Sequence, residues 1–301
     1  MIPLRLTCLL LFLLPSLTLA EESGKTLTWV GCGITKKAFM KDLAAAWEKK
    51  SGIHIDIQGG GATRGIREVA AGKADIGGSC RYKIEGNPKE LKARMQPVAW
   101  DALVVITHRD NPVSDISLKQ LRAIYLGEIT NWKELGGEDH PIEVYARRSK
   151  ISGVGHALRK LVFANFEQEF RASEFFKSSG PLEKRLESDA GRYGIGVTGI
   201  SSARKRNVKI LSLEGIHPTP EDIRSGKYML YRPLYLVYNL QRQMEHPEIR
   251  EFIRFAQSKE GREIIRRNQV VPYSDALGLI MKQLEQERRA RDMGLYEHAA
   301  N

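Results

Sequence analysis

Segments with the period of a β-strand alternate with segments with the period of an α-helix along the first two-thirds of the chain. Residues Ile53–Ile57 alternate apolar and polar side chains, which is typical of a half-buried strand. Residues Lys36–Lys50 instead place Phe39, Leu43 and Trp47 on one helical face. A regular alternation of strands and helices predicts an α/β fold built in layers.

Turns rich in glycine and hydroxyl side chains follow three of the predicted strands and precede three of the predicted helices. They are Gly31–Thr35, Gly59–Gly65 and Arg148–Gly155. The first N–H groups of a helix have no partner within the helix, and the helix dipole adds partial positive charge there. Such turns suit an anion, and three of them can converge on one site. Each is equally consistent with an ordinary strand-to-helix connection.

The N-terminus has the pattern of a secretory signal peptide. Arg5 supplies the positive end, Leu9–Leu14 the apolar run and Thr18–Ala20 the small residues that close it. The apolar run is shorter than the ~20 residues that a membrane-spanning helix requires. The sequence therefore predicts a signal peptide over residues 1–20, a mature chain that begins near Glu21, and a location outside the cytoplasm.

Length and charge limit the classes of protein to consider. The chain has 301 residues and a formal net charge of +11. This length exceeds the usual size of one hydrophobic core and predicts two domains, and the positive charge favours an anionic ligand or surface. Basic residues are not interleaved with aromatic ones as in proteins that stack nucleic-acid bases, so no nucleic-acid partner is expected.

Several segments together resemble one known family. The main ones are Gly31–Thr35, Gly59–Arg81, Val98–Pro112, Ser117–Gly137 and Arg148–Val154, with shorter matches at Tyr193–Val197, Gly226–Tyr228, Arg232–Pro233 and Val271–Pro272. Ser117–Gly137 is the most specific, because so detailed a pattern has little general reason to recur. Over Leu27–Tyr273 the chain resembles the periplasmic phosphate-binding proteins of ABC uptake systems, within the phosphate-binding-protein-like superfamily of type II periplasmic binding proteins.

The resemblance implies a two-lobed α/β fold of the Venus-flytrap kind with two hinge crossings. One lobe would comprise residues 21–103 and 237–282, the other residues 104–236, and a charged helical tail would follow at 283–301. The hinge would lie near Asp101–Val105 and near Tyr235–Tyr238. A monomer of this kind would close on its ligand in the periplasm and present it to an ABC transporter membrane complex.

The resemblance also implies a set of ligand-binding residues. Thr35, Arg148, Ser152 and Gly153 match phosphate-contacting positions of the family. Ala62 stands where the family has a serine, with Thr63 beside it, and Val154 stands where it has a threonine. Cys80 falls where some members have an aspartate, and Arg81 can compensate for lost donors. These departures leave open whether the ligand is phosphate or a related oxyanion.

Arg148 is predicted to be the main anchor of the anion, because it is the one charged residue in its matched motif. Arg147 is predicted to point to the other face of the strand, because side chains alternate along a strand. Asp101 is the candidate acceptor for the proton of monohydrogen phosphate, with bracing of the hinge as its alternative role.

The resemblance further implies a disulfide between Cys32 and Cys80, the two cysteines left after the signal peptide. Both follow strands that are neighbours in this fold, and the family commonly has serine at both positions. Bridging requires Cα atoms within ~7 Å, and the alternative is two separate buried thiols.

Three functions are compatible with the sequence. The first is a secreted receptor that captures an oxyanion, most simply phosphate, for an ABC transporter. The second is a periplasmic sensor or interaction module of the same fold with weak or altered oxyanion binding. The third is an enzyme that acts on phosphate esters, which is disfavoured because Ser152 and His156 have no carboxylate partner placed to orient them. No catalytic residue, metal or cofactor is predicted.

Overall fold

The computed structural model describes residues 25–292, in which strands and helices alternate as the sequence predicts. The strands are β1 Thr26–Gly31, β2 His54–Gln58, β3 Ile76–Ser79, β4 Ala93–His108, β5 Asp115–Ile116, β6 Glu143–Arg147, β7 Glu174–Phe176, β8 Gly194–Gly199, β9 Val208–Ile210, β10 Ser212–Leu213, β11 Tyr231–Asn239 and β12 Val271–Pro272. The predicted signal peptide at residues 1–20 lies outside the described residues.

The helices flank these strands. They are α1 Gly33–Thr35, α2 Lys41–Ser51, α3 Gly61–Ala70, α4 Leu118–Leu126, α5 Gly153–Leu158, α6 Ser179–Glu187, α7 Ile200–Ala203, α8 Pro220–Ser225, α9 Leu240–Glu245, α10 Pro247–Gln257, α11 Lys259–Arg267 and α12 Gly278–Asp292. Short 3₁₀ turns occur at Trp132–Leu135, Asp189–Gly191 and Tyr273–Ala276, and π-helical turns at Lys36–Met40 and Arg159–Phe163. Over residues 25–292, no helix is both long and apolar enough to cross a membrane.

The long strand β4 belongs to both lobes. Its first half, Ala93–Ala102, pairs antiparallel with β11, which in turn pairs with β3 in the order β2-β1-β3-β11-β4. Its second half begins to pair with β8 at Leu103, and the order continues β4-β8-β6-β7. The sheet therefore passes from one lobe to the other within a single strand, at the junction between Ala102 and Leu103.

The second crossing lies beside the first. The Leu103 N–H donates to the Leu230 carbonyl at 2.8 Å, and Tyr231 already pairs with Ala102 in the first-lobe sheet. The predicted hinge range Asp101–Val105 contains the first junction. The predicted range Tyr235–Tyr238 lies inside β11 and pairs there with β3 and β4, so the return crossing comes earlier than predicted. We therefore propose lobe limits at 102/103 and 230/231.

The first lobe is built around an amphipathic helix. Trp47 on α2 is buried with Leu43 and contacts the rings of Phe252 and Phe255, at centroid distances of 5.9 and 5.5 Å. The helix ends at Gly52, whose φ of +73° is the left-handed conformation that glycine adopts at low cost. The helical face predicted from Leu43 and Trp47 is therefore confirmed.

Trp132 is a buried aromatic side chain of the second lobe, as Trp47 is of the first. Its side chain is 1% exposed and its indole Nε1 donates to the Tyr193 carbonyl at 2.9 Å. Asn131 caps the turn by accepting from the Lys133 N–H, and Glu134 bonds back to the Asn131 N–H. Gly136 ends the turn with φ +79°. The predicted cap and the predicted packing of Trp132 are confirmed.

We expect Trp132→Ala to lower the free energy of unfolding by about 3–5 kcal/mol, because it removes a buried aromatic ring and leaves a cavity. Lys133→Ala is the control, since Lys133 is exposed and its ion pair with Asp139 is on the surface, so its loss should cost under about 1 kcal/mol. Chemical denaturation followed by fluorescence of the remaining tryptophans measures both. Equal losses of unfolding free energy for the two variants would contradict the assignment of Trp132 to the core.

Candidate oxyanion site between the lobes

The turn at the start of α5 in the second lobe packs directly on the first lobe. A Cβ atom added to Gly153 would lie 2.3 Å from the Cys80 Sγ and 3.1 Å from the Ala62 Cβ. The Thr63 hydroxyl donates to the Ile151 carbonyl at 2.9 Å across the same contact. Only glycine fits at position 153 in this arrangement, and the lobes are closed on each other at the predicted site.

The turn Gly31–Thr35 reaches the same place through Cys32 and its neighbour Cys80. Cys32 follows β1 and Cys80 follows β3, and these parallel strands are hydrogen-bonded neighbours. The Cys80 and Cys32 side chains are close enough for each to shift the pKa of the other. The structure thus brings all three predicted turns together, with the sulfur pair between them.

Both cysteines are buried free thiols, so the predicted disulfide is not formed in this structure, although the predicted proximity is present. Burial opposes ionisation of Cys32, but hydrogen bonds from Cys80 and Thr35 and the nearby Arg232 charge outweigh it and lower the pKa of Cys32 to about 6. The pKa of Cys80 lies well above its usual value, first because its thiol donates to Cys32 and then because it is buried. Of the two thiols, Cys32 is therefore the one that ionises more readily.

Thr35 is fully buried beside this pair. Its hydroxyl donates to the Cys32 carbonyl at 3.0 Å and lies 3.3 Å from the Cys32 Sγ. Its N–H also donates to that sulfur, at 3.4 Å, so Cys32 caps α1. Both Thr35 donors that the resemblance assigns to a ligand are thus directed at protein atoms here.

Arg81 is buried and bonded to the protein through its whole guanidinium. It forms a two-pronged ion pair with Glu90 at 2.7 and 2.9 Å, and its Nε donates to the Ile151 carbonyl at 2.8 Å. Burial disfavours the Glu90 carboxylate, but Arg81 outweighs it and holds the pKa of Glu90 below its usual value. Arg81 therefore positions the turn of the second lobe and is not a free cation.

Asp101 is bonded to the protein in the way expected for a residue that braces the hinge. Its Oδ1 accepts from the Ser201 hydroxyl at 2.6 Å and from the Ser201 N–H at 3.2 Å, and its Oδ2 accepts from Arg232 at 3.2 Å. Because both oxygens face protein donors, the structure does not support Asp101 as the acceptor of a ligand proton.

Arg232 is a site residue that the sequence analysis missed. It lies on β11, is 5% exposed, and donates to Asp101 and to the Gly153 carbonyl, the latter at 3.2 Å. Its Nε is buried and has no hydrogen-bond partner among the described residues. Burial alone would lower the pKa of Arg232, but the anionic forms of Cys80, Asp101 and Cys32 raise it. A lone arginine within an apolar strand was the signal available in the sequence.

The burial of Arg147 and Arg148 is the reverse of what the sequence predicts. The strand β6 extends to Arg147, so this side chain still follows the strand alternation and turns inward, donating to the Phe176 and Lys177 carbonyls and to the Ser179 hydroxyl. Burial lowers the pKa of Arg147, and the nearby Cys80 and Cys32 oppose that shift. Arg148 follows the end of the strand and is exposed.

Ser152 and His156 serve the local structure of α5. The Ser152 hydroxyl accepts from the Gly155 N–H at 3.1 Å and caps the helix, and Val154 is buried behind it. The His156 ring stacks on Phe166, and burial, with the nearby charges of Arg81 and Lys160, lowers its pKa to about 3. His156 is therefore neutral and packed. Over residues 25–292, no cluster of His, Cys, Asp or Glu is arranged to hold a metal ion.

A second ionic contact joins the lobes away from the thiols. Lys37, just after α1, donates to Glu183 at 3.1 Å and to the Ser202 hydroxyl at 2.7 Å in the second lobe. Glu183 is fully buried and also accepts from Thr198 and Arg206. No periodic pattern in the sequence indicated this contact, which helps to hold the closed form.

We expect Arg232→Met to lower the free energy of unfolding by about 3–5 kcal/mol, because it leaves the buried Asp101 carboxylate without its cation. Arg148→Met removes the same charge from an exposed position and should change it by no more than about 0.5 kcal/mol. Urea denaturation at neutral pH gives both values. A small loss for Arg232→Met would show that the hinge does not depend on this ion pair.

Comparison with known proteins agrees with this architecture. The PstS phosphate-binding protein of Borreliella burgdorferi is 26% identical over 261 residues, which cover 81% of this chain and 89% of that protein. The PstS protein of Bacillus subtilis is 27% identical over 212 residues, which cover 70% of this chain and 69% of that protein.

Solved structures show the same similarity. A Clostridium perfringens structure, described as a phosphate ABC transporter substrate-binding protein with bound phosphate, superposes with a TM-score of 0.75 at 29% identity, covering 82% of this chain and 99% of that one. An ABC-type phosphate transport receptor from Vibrio cholerae superposes with a TM-score of 0.63 at 25% identity. The match covers 82% of this chain and 100% of that one. The family model for the PBP superfamily domain matches residues 20–260. The chain therefore belongs to the PBP superfamily, with the two-lobed α/β fold of periplasmic binding proteins.

Proposed function

We propose that this protein is an extracytoplasmic receptor that captures phosphate between its two lobes and delivers it to an ABC transporter. The observation on which the proposal rests is the meeting of three helix-start turns with the buried cation Arg232, whose Nε is unsatisfied. A buried oxyanion requires an opposing charge and dense hydrogen bonding, and this junction offers both. The relatives named as phosphate-binding proteins, and the related structure with bound phosphate, support phosphate as the ligand.

The donors for such an anion come from both lobes. On the second lobe they are the first N–H groups of α5, at Gly153 and Val154, with Arg147 behind them. On the first lobe they are the N-terminal N–H groups of α3 at Ala62 and Thr63, together with Thr35 once its donors leave Cys32. Backbone donors at Ala62 and Val154 remain even though neither side chain can donate, which favours an anion recognised mainly by main-chain groups.

Opening of the cleft is required for binding. Gly153 rests on Cys80 and Ala62 with no space between them, so an oxyanion must separate these surfaces to enter. The adjacent crossings in β4 and β11 provide a hinge for that motion, and the contacts of Lys37 and Arg232 re-form on closure. Ligand binding and the equilibrium between open and closed forms are then linked.

The relatives also support a transport role without catalysis. Those named here are binding proteins or transport receptors, which favours the receptor over an enzyme and over an interaction module. A receptor for an ABC transporter acts outside the cytoplasm, in agreement with the signal peptide predicted at residues 1–20.

Titration calorimetry of the mature chain with phosphate, sulfate, arsenate and molybdate tests the proposal. We expect phosphate to bind with a dissociation constant of about 1 μM or tighter, corresponding to about −8 kcal/mol or more favourable. Arsenate, which has the same shape and also carries a proton, should compete with it. Absence of binding to all four anions would refute the receptor function and leave the interaction module as the better explanation.

Two variants, each lacking one positive charge, test whether Arg147 or Arg148 lies closer to the bound anion. Arg147→Met should weaken phosphate binding by about tenfold or more, which corresponds to about 1.4 kcal/mol, because it removes a partly buried positive charge close to the site. Arg148→Met should have little effect, because Arg148 is exposed. Circular dichroism confirms that both variants are folded. A larger effect at Arg148 would restore the original prediction, and equal effects would indicate only long-range attraction.

A further inference from the structure

Cys32 and Cys80 form a dithiol at the point where the two lobes meet. Their side chains are 5% and 1% exposed, and Gly153 from the second lobe covers the Cys80 sulfur. The parallel pairing of Gly31 with Gly78 places Cys32 one residue out of register with Cys80, at the same end of the sheet. Two buried thiols at the ends of adjacent parallel strands, close enough to shift each other's pKa, are placed for a disulfide.

In the reduced state, sulfur occupies donors that an oxyanion would use. The Cys32 Sγ accepts from the Thr35 N–H and lies in contact with the Thr35 hydroxyl. The charged groups that face the pair are Arg232 and Asp101 on the hinge strands and Arg147 on β6. The lowered pKa of Cys32 adds a negative charge in front of these cations. Sulfur in the reduced pair therefore already accepts a hydrogen bond that an oxyanion would take.

We propose that Cys32 and Cys80 form a redox-controlled modification site, whose dithiol form engages the Thr35 N–H and whose disulfide form releases it to an oxyanion. This inference rests on the proposed receptor function. A disulfide is neutral and its sulfur is a poor acceptor, so the Thr35 N–H, which donates to the Cys32 Sγ in the dithiol form, becomes available to a ligand.

The reaction is a thiol–disulfide exchange with an oxidant of the protein-disulfide class. The Cys32 thiolate attacks one sulfur of the oxidant's disulfide, forming a mixed disulfide and releasing one oxidant thiolate. Cys80 then loses its proton to solvent and attacks the Cys32 sulfur, releasing the second oxidant thiolate. Two electrons pass from the pair to the oxidant, one S–S bond forms and one is broken.

The closed cleft controls access to this reaction. Because Gly153 lies against the Cys80 sulfur and both thiols are buried, an oxidant can reach them only after the lobes separate. An oxidising compartment outside the cytoplasm supplies the oxidant class. Phosphate that closes the cleft should therefore protect the dithiol from oxidation. Phosphate should also bind more weakly to the dithiol form than to the disulfide form.

The test combines chemistry and binding on the mature protein. Oxidised glutathione is added to the reduced protein, and intact mass with thiol titration in denaturant reports whether the two thiols are lost to an internal bond. Calorimetry with inorganic phosphate then compares the disulfide form with the same sample after dithiothreitol. We expect the disulfide to form, and phosphate to bind at least about tenfold more tightly to it than to the dithiol.

Cys32→Ser and Cys80→Ser are the controls, since neither can form the bond. Each should bind phosphate with an affinity that dithiothreitol does not change. Two titratable thiols after oxidation, or equal phosphate affinity in the two forms of the wild-type protein, would overturn this inference and leave the receptor function intact. Absence of phosphate binding in both forms would overturn the receptor function and this inference together.

Discussion

The buried ion pair between Asp101 and Arg232 is the interaction on which the arrangement of the molecule depends. Asp101 lies on β4 and Arg232 on β11, the two strands through which the chain passes between lobes. The pair also reaches both lobes, because Asp101 accepts from Ser201 and Arg232 donates to the Gly153 carbonyl. A charge pair removed from water is tolerated only when its remaining hydrogen-bonding groups are satisfied. The unsatisfied Nε of Arg232 is therefore an exception that calls for a partner.

Charge balance at the interface follows the same constraint. Glu90 is held by Arg81, and Glu183 by Lys37 and Arg206, so each buried carboxylate has a cation beside it. Of these pairs, Lys37 with Glu183 joins residues 146 positions apart in different lobes. Closure consequently depends on bringing charges to defined positions as well as on burying apolar surface, and it should weaken when either partner is removed.

Local features of the fold were predictable because they depend on neighbouring residues in the sequence. The buried face of α2 follows from apolar spacing, and the cap at Asn131 from turn chemistry. The two-lobed architecture was predicted by resemblance. The pairing of Arg232 with Asp101 joins residues 131 positions apart, and no periodic pattern encodes such a contact. The sequence places the end of this strand at Ala146, whereas β6 continues to Arg147, so Arg147 keeps the side-chain direction of the strand and Arg148 begins the turn.

The adjacency of the two crossings limits the kinds of motion open to the molecule. Leu103 and Leu230 are hydrogen-bonded to each other where the strands change lobes, so both crossings lie at almost one position. Two strands bonded side by side bend and twist together but resist sliding past each other. The lobes can then rotate about one axis, with little freedom to translate. The cleft then opens on the side opposite that axis. A solute would enter and leave through the same opening, so capture and release follow one path.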